Sequence, residues 1–516
     1  MNRVVIWAQS NYNWLWTPLA ERLKRETGAT ISLICMSLQD AEFFRGMDES
    51  GAIDDVVTIN HFFHTYDEVD GDENFIIRQA RSNESIYGVL AVDLLQTDRH
   101  LGRGFSSLAP YYPRSKLSEK ASYKNSLNFF NQVLAFWEDY FEERQPDLII
   151  QATANFVGKC CSVVARRRGI KLRELGWARY LDFHTWYTDE YWTYPGLKPA
   201  YKALGSAPGD SDDAWSGRLR SFFETWRRSA FTRRSLWVTL WFMVNDILVN
   251  FYQRWKGIYK IGNNLLPHQI LYHWRKYLDF KRLNACRLAG AEDLRDANYV
   301  YCPLHLEPES ALSVLSPEFN EQMTVVELIA KNLPAGVKLA VKEHLWAIGR
   351  RPPGFYRLLE DIPNVVMVSP TVDSLELSRG SLCVAIITTT AGFEAAAMGI
   401  PVITVGLHNC YDFLPHVHVV RSWTALRGLL YRICVEENNP EAKVRRKKDG
   451  ARLLQAVKSS AMDLAGIDYV SKKRPPASEE EVDRLFAHLM STLQSGGEFA
   501  SPVVAREADA DVGAKL

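Results

Sequence analysis

At 516 residues the chain is too long for a single hydrophobic core and calls for roughly two to four domains. Its 47% hydrophobic and 24% charged residues exclude a disordered or fibrous protein. Lysine plus arginine and aspartate plus glutamate balance at 61 each, which excludes a nucleic-acid binder that relies on an overall basic field.

In chain order, Val4–Ala8 reads as a buried strand, followed by a polar loop at Gln9–Asn13 and a helix over Pro18–Thr27. Ile31–Met36 and Val56–Ile59 read as further strands. Strands alternating with helices argue for a parallel sheet with crossover helices. Thr65–Lys116 reads as an irregular insertion. The spacing of Phe129, Phe130, Val133, Leu134 and Trp137 predicts a helix over Leu127–Glu143. A strand follows Pro146, and its end at Gln151–Asn155 opens a helix running to Arg168. A last strand ends near Leu175-Gly-Trp, so residues 1–190 form one α/β domain.

After a polar break at residues 207–216 the chain changes in kind. Between Gly217 and Arg287 it carries 14 lysines and arginines against three acidic residues. Trp237, Leu240, Trp241, Val244, Leu248 and Trp255 fall on one helical stripe within a section spanning 217–290. The longest apolar run, Leu236–Val244, is nine residues, well short of the ~20 that cross a bilayer. Two readings stay open: a helix lying on an anionic membrane surface, or a helical insertion whose stripe packs on the protein itself.

From Asn298 the α/β rhythm returns, with strands at Tyr299–Pro303, Val337–Lys342, Val365–Val368, Leu382–Ile387 and Val402–Val405. They predict a second doubly wound sheet within residues 295–460, followed by a helical section over 461–494 and a disordered tail over 495–516. In such sheets ligands bind outside the carboxyl ends of the strands. Those ends carry His305, Glu307 and Glu309; Lys342 and His344; Asp373; Thr388 to Glu394; and His408. Lys342 and His344 share a face if their strand continues, which would present a cation and an imidazole to a phosphate. Asp373 reads as a helix cap.

The stretch Ile386–Gly406 is the most informative. Thr388, Thr389, Thr390, Ala391 and Gly392 form a turn that opens a small-residue helix, where hydroxyls, amides and the helix dipole favour an anion. Glu394 lies one turn further and suits the hydroxyls of a ribose or hexose. Phosphate with sugar hydroxyls points to a nucleotide sugar; an ordinary βαβ unit is the plain alternative. No metal-ligand set, P-loop or nucleophile elbow is present. The D-x-D pairs at Asp70/Asp72, Asp210/Asp212 and Asp509/Asp511 fall in irregular or tail segments. The eight cysteines form no C-x-x-C, and Met1–Ala8 reads as a strand, not a signal sequence. Both point to the cytoplasm.

Tyr301-Cys-Pro-Leu-His-Leu-Glu-Pro-Glu-Ser, Val341-Lys-Glu-His, Ile362-Pro-Asn-Val, Asp373-Ser and Thr388-Thr-Thr-Ala-Gly-Phe-Glu with Gly399-Ile-Pro-Val carry a resemblance. Together they resemble bacterial capsular polysaccharide biosynthesis proteins of the GT-B glycosyltransferase superfamily, including the Kdo-transferase-like capsule proteins. The resemblance covers about residues 299–420. It implies a cytoplasmic, metal-independent glycosyltransferase with no cofactor, a nucleotide-sugar donor and a glycan or lipid-linked acceptor at the inner membrane face. It implies two Rossmann-like domains facing a cleft. His344, Thr388–Thr390, Gly392 and Glu394, with Lys342, would hold the nucleotide sugar. Glu307 or Glu309, beside His305, would face the reacting centre. Alternatives of the same fold are a nucleotide-sugar 2-epimerase, a CDP-polyol phosphotransferase, or a non-catalytic capsule assembly or export partner.

Overall fold

The computed structural model describes residues 1–8, 13–59, 72–101, 111–151, 155–205, 235–256, 264–307, 310–319, 321–464 and 476–494. The loop at Gln9–Asn13 (all but Asn13), the polar break, the basic residues up to Arg234, Glu309 and the 495–516 tail therefore lie outside the described residues, as do Asp70, Asp210/Asp212 and Asp509/Asp511.

Two sheets carry the chain. The first contains β1 (Arg3–Trp7), β2 (Thr30–Cys35), β3 (Asp55–Thr58), β4 (Leu148–Ile150), β5 (Lys171–Trp177) and β6 (Phe183–Tyr187). The second contains β7 (Tyr299–Pro303), β8 (Lys338–Lys342), β9 (Val365–Val368), β10 (Cys383–Ile386), β11 (Val402–Thr404) and β12 (Val417–Val419). A short last strand, β13 (Met462–Asp463), returns to the first sheet. The second sheet runs β12-β11-β10-β7-β8-β9, all parallel. That is the doubly wound order, with its switch point between β7 and β10. The first sheet runs β13-β6-β5-β4-β1-β2-β3 and switches between β1 and β4. The structure is thus the expected α/β class with two Rossmann-like sheets, a GT-B-type arrangement.

The strands form where apolar residues run without alternation, because both faces of each sheet are covered. Val4, Val5, Ile6 and Trp7 are all buried, as are Cys383, Val384, Ala385 and Ile386. The long helix Tyr123–Arg144 starts on Ser122, whose side chain accepts from the Asn125 amide, and buries Phe129, Phe130, Val133, Leu134 and Trp137. Part of the expected irregular insertion is ordered. Glu73–Tyr87 is a 15-residue helix that buries Ile76 and Ala80, and Ala91–Leu95 is a second, shorter one. Two apolar contacts on a mostly polar helix leave a weak periodic signal.

The first sheet departs from a purely parallel plan at its far side. β5 and β6 make an antiparallel hairpin, and β13 pairs antiparallel with β6. The helix Glu479–Gln494 packs on the helix Asn13–Thr27, and Trp186 Nε1 donates to Leu485 O at 3.0 Å. One core joins the sheets: Tyr180, Tyr187 and Leu197 pack with Tyr299, Tyr301, Val384 and Phe393. Arg452 Nε donates to Tyr201 O at 2.7 Å, and Tyr194 OH lies 2.8 Å from Ser460 Oγ.

In the chain between the strands of the two sheets come two paired helices, Leu236–Trp255 and Leu266–Ala285. Asp246, in the middle of the first of these helices, is 2.5 Å from His273 Nε2 on the second. The aromatic stripe faces away from the described protein. Trp237 is 79% exposed and Trp255 72%, while only Thr239 and Asn250 of that helix are buried. Of the two readings of the stripe, packing on the protein is not what the described residues show. Among them no helix is long and apolar enough to cross a membrane.

Candidate functional site

The switch point of the second sheet brings the loops after β7 and β10 together. His305 is buried there, and its Nε2 accepts the Thr388 amide at 3.2 Å. The acceptor role assigns the ring proton to Nδ1. Burial, helped by His344, Arg351 and Arg179, pushes the imidazole pKa down to about 3. The ring is therefore neutral at any ordinary pH. Its backbone is clamped as well: the His305 amide donates to Gln322 Oε1 at 2.6 Å, and its carbonyl accepts Arg351 Nη2 at 2.8 Å. His305 thus sets the path of the threonine turn.

That turn ends in the helix Thr390–Ala397, whose N-cap Thr389 makes no side-chain capping bond. Thr388 Oγ1 and Thr389 Oγ1 are both shielded from solvent and have no hydrogen-bond partner among the described residues. The Gly392 amide turns back to Thr389 O at 3.1 Å, and the amides of Thr390 and Ala391 belong to the first turn, whose donors have no acceptor within the helix itself. A buried hydroxyl without a partner costs about 1–3 kcal/mol. Oxygens of a phosphate satisfy such a set and sit at the positive end of the helix dipole. Thr390 and Glu394 are half-buried beside it, Glu394 one turn into the helix. Gly392 has another role. A Cβ there would overlap Ile386 Cδ1 and lie 2.5 Å from the Tyr411 hydroxyl, so this glycine lets the helix seat on its sheet.

The first sheet adds a residue that the sequence reading missed. Arg179 sits on the β5–β6 hairpin turn, is only 8% exposed, and reaches Thr388 O at 3.5 Å through Nη1. Among the described residues no carboxylate pairs with it. Its backbone lies at φ +63°, a left-handed conformation that costs an L-residue about 1–2 kcal/mol. Arg179 also contributes to the low basicity of His305 and lies near Tyr411. A buried, uncompensated guanidinium in a strained turn thus faces an unsatisfied helix N-terminus from the opposite domain. Nothing local in Trp177-Ala-Arg-Tyr-Leu-Asp marks it, since the turn has no glycine at the strained position.

The other strand-end residues are placed differently from expectation. Lys342 Nζ donates to Val372 O and Ser374 Oγ, both at 2.7 Å, so it ties β8 to the start of the helix Ser374–Gly380. His344 caps a short turn, its Nδ1 accepting the Trp346 amide at 3.3 Å. Burial pushes its pKa down to about 4. The pair lines a small depression of about 140 Å³ with Trp346 and Pro370, and its imidazole is neutral. Asp373 is the expected cap, accepting the Leu375 amide at 2.7 Å.

Glu307 does not face outward. Its Oε1 accepts from Gln322 and lies 3.5 Å from Arg351 Nη1, all of it buried. Arg351 spends its strong bonds on Glu343, at 2.8 and 2.9 Å. Glu307 is left under-compensated, and burial raises its pKa to about 8 against the pull of Arg351. It anchors the loop that holds His305.

No family model matches the chain, and no curated protein matches it by sequence. Similar solved structures include a UDP-GlcNAc 2-epimerase from Neisseria meningitidis bound to UDP-GlcNAc, at 11% identity and a TM-score of 0.27, over 89% of this chain and 98% of that one. CalG4, the calicheamicin glycosyltransferase, is 12% identical over 95% and 99% of the two chains, with a TM-score of 0.27. KpsC of Thermosulfurimonas dismutans, a beta Kdo 2,7 transferase, is 13% identical over 68% and 88%, with a TM-score of 0.30. Likeness this distant makes no statement about activity, which has to come from the side chains.

Proposed function

We propose that the chain is a glycosyltransferase that moves a sugar from a nucleotide-sugar donor to a surface glycan or glycolipid acceptor. The observation that carries this reading is Arg179, buried with no carboxylate among the described residues, against the hydroxyls of Thr388 and Thr389, unpartnered among the same residues, at a helix N-terminus. The donor diphosphate accepts from the Thr390 and Ala391 amides, the two hydroxyls and the Arg179 guanidinium. As the acceptor hydroxyl attacks the anomeric carbon and gives up its proton to solvent, the bond to the phosphate oxygen breaks and its electron pair stays on the leaving nucleotide. Protein donors already aimed at that oxygen stabilise the growing charge without rearranging, and no metal is needed for it. Glu394 accepts hydroxyls of the ribose or donor sugar.

The exposed stripe supports an acceptor held at a membrane. Trp237, Trp241, Phe251 and Trp255 offer an apolar face, with Arg254 and Lys256 at its end and further basic residues along the same segment. That is the composition of a helix lying in an anionic interface, and it supports the reading of an enzyme working at the cytoplasmic face of the membrane.

The test is nucleotide release from UDP-, GDP-, CMP- and CDP-linked sugars, with and without a glycolipid acceptor. Release that depends on both donor and acceptor supports the proposal. Interconversion of the donor alone identifies an epimerase, transfer of a polyol phosphate the related phosphotransferase, and no turnover of any donor a non-catalytic partner.

A further inference from the structure

A depression of about 730 Å³ lies among three helices of the first domain. Its size is that of a small-ligand site. Glu73–Tyr87 and Tyr123–Arg144 supply its sides, and the far end of the helix Phe156–Arg167 supplies the rest. That helix starts at the switch point beside β4, where the first sheet faces the domain junction. Its 12 residues rise about 18 Å to Arg167, so the depression stands well back from the junction.

Its polar walls hold one another in place. Asn131, 2% exposed, accepts Asn83 Nδ2 on its Oδ1 at 2.9 Å and donates to Ile76 O at 3.1 Å. Tyr87 OH donates to Glu138 Oε1 at 2.6 Å, and Arg168 Nε donates to the other oxygen of that carboxylate, also at 2.6 Å. Arg167 Nη1 donates to Ile86 O at 2.8 Å, with its guanidinium 5.9 Å from the centre of the Tyr87 ring. Side chains fixed in this way lose little freedom when a ligand arrives. The walls still have unused capacity. Among the described residues the Gln79 side chain makes no hydrogen bond, Asn83 Oδ1 accepts none, and Arg167 keeps its other N–H groups.

These groups select the ligand. Amide, carbonyl and guanidinium groups put donors and acceptors side by side, which suits hydroxyls, since each hydroxyl both donates and accepts. A phosphate is not favoured, because Arg167 and Arg168 are matched by Glu138 and by Glu142, 3.3 Å from Arg168 Nη2. A hydrocarbon ligand is not favoured either, since Ile86, Ala135 and the Tyr87 ring are the only apolar lining. One aromatic face among hydrogen-bonding side chains fits a sugar ring, which is apolar on its faces and polar at its edge. We propose that this depression is a second carbohydrate site, which holds an oligosaccharide stretch of the acceptor while its end is at the transfer site. The inference rests on the glycan acceptor proposed above and adds where the rest of that chain is held.

The experiment screens the full chain against an array of neutral and acidic oligosaccharides. The strongest binder is then titrated calorimetrically into the wild type, Gln79→Ala with Asn83→Ala, and Ala135→Trp. Ala135 is exposed, so tryptophan fills the depression without entering the core. That variant keeps the test decisive if loss of the Asn83–Asn131 bond unfolds the other, and a melting curve shows which are folded. Affinity lowered about tenfold or more in every folded variant supports the site. Affinity unchanged in a folded variant, or no oligosaccharide bound by the wild type, overturns the proposal. Nucleotide sugars titrated into the same proteins separate the two ideas. Their affinity survives substitution in the depression, and that of the oligosaccharide survives Arg179→Gly. A wild type that binds the oligosaccharide but no UDP-, GDP-, CMP- or CDP-linked sugar loses the transfer reaction and keeps the carbohydrate site.

Discussion

Arg179→Gly separates a binding role from a structural one, because the two make opposite predictions. The native arginine is held at φ +63°, buried, with no carboxylate partner among the described residues. Glycine adopts that conformation without the steric cost, which returns about 1–2 kcal/mol, and the buried uncompensated charge disappears as well. Against this stands one long hydrogen bond to Thr388 O, 3.5 Å. For a domain of this size about 1 kcal/mol is worth roughly 2–4 °C, so the melting temperature should hold or rise by a few degrees. Nucleotide affinity should move the other way. A charge-assisted hydrogen bond contributes about 1.5–3 kcal/mol, so the dissociation constant for the nucleotide should rise about ten- to a hundredfold. Scanning calorimetry and isothermal titration on the same preparation read both quantities. A variant that melts lower but binds nucleotide as the wild type does would refute the reasoning and make Arg179 a hairpin residue only.

Glu307→Gln should stabilise the protein with a defined pH dependence. The folded pKa of Glu307 is raised to about 8 from its ordinary 4.5, so its protonated form is favoured in the fold. The wild type loses that contribution as pH rises from about 4.5 to 8, and the advantage of the variant should grow over this window by up to about 1.4 kcal/mol per pH unit. An advantage independent of pH would refute the assignment. Trp237→Asp with Trp241→Asp should change stability by no more than about 0.5 kcal/mol, since both side chains are exposed. The same pair should abolish flotation with anionic vesicles; a collapse of the fold would show that the stripe is core. Gly392→Ala should cost about 1–3 kcal/mol by overpacking against Ile386 and Tyr411, a loss that chemical denaturation would register.

What could be read from residues alone was whatever rests on local pattern. Val384, Ala385 and Ile386, or Val402 and Ile403, form continuous apolar runs because both sheet faces are covered, and such runs are visible without a structure. The Thr388–Gly392 turn was legible for the same reason, since hydroxyls and small residues after a buried strand have a restricted set of uses. Arg179 was not. It is one basic residue among many, and its meaning comes from the absence of a carboxylate partner among the described residues, which only the folded chain reveals. Lys342 and Glu307 show the converse: a polar residue at a strand end reads as open to a cleft, but Val372, Ser374, Gln322 and Arg351 come from distant segments to bind them. The antiparallel β6 and β13 went unseen because β13 is two residues long and draws its pairing from β6, far away in sequence.

The central claim is that Arg179 and the Thr388–Ala391 turn hold the phosphates of a nucleotide sugar. A thermal-shift screen of the wild-type protein against UDP-, GDP-, CMP- and CDP-linked compounds tests it most directly. One nucleotide family, at about 100 times its dissociation constant, should stabilise the protein by roughly 2.7 kcal/mol, and Arg179→Gly should reduce that shift. No shift with any nucleotide, or a shift that Arg179→Gly leaves intact, would contradict the account.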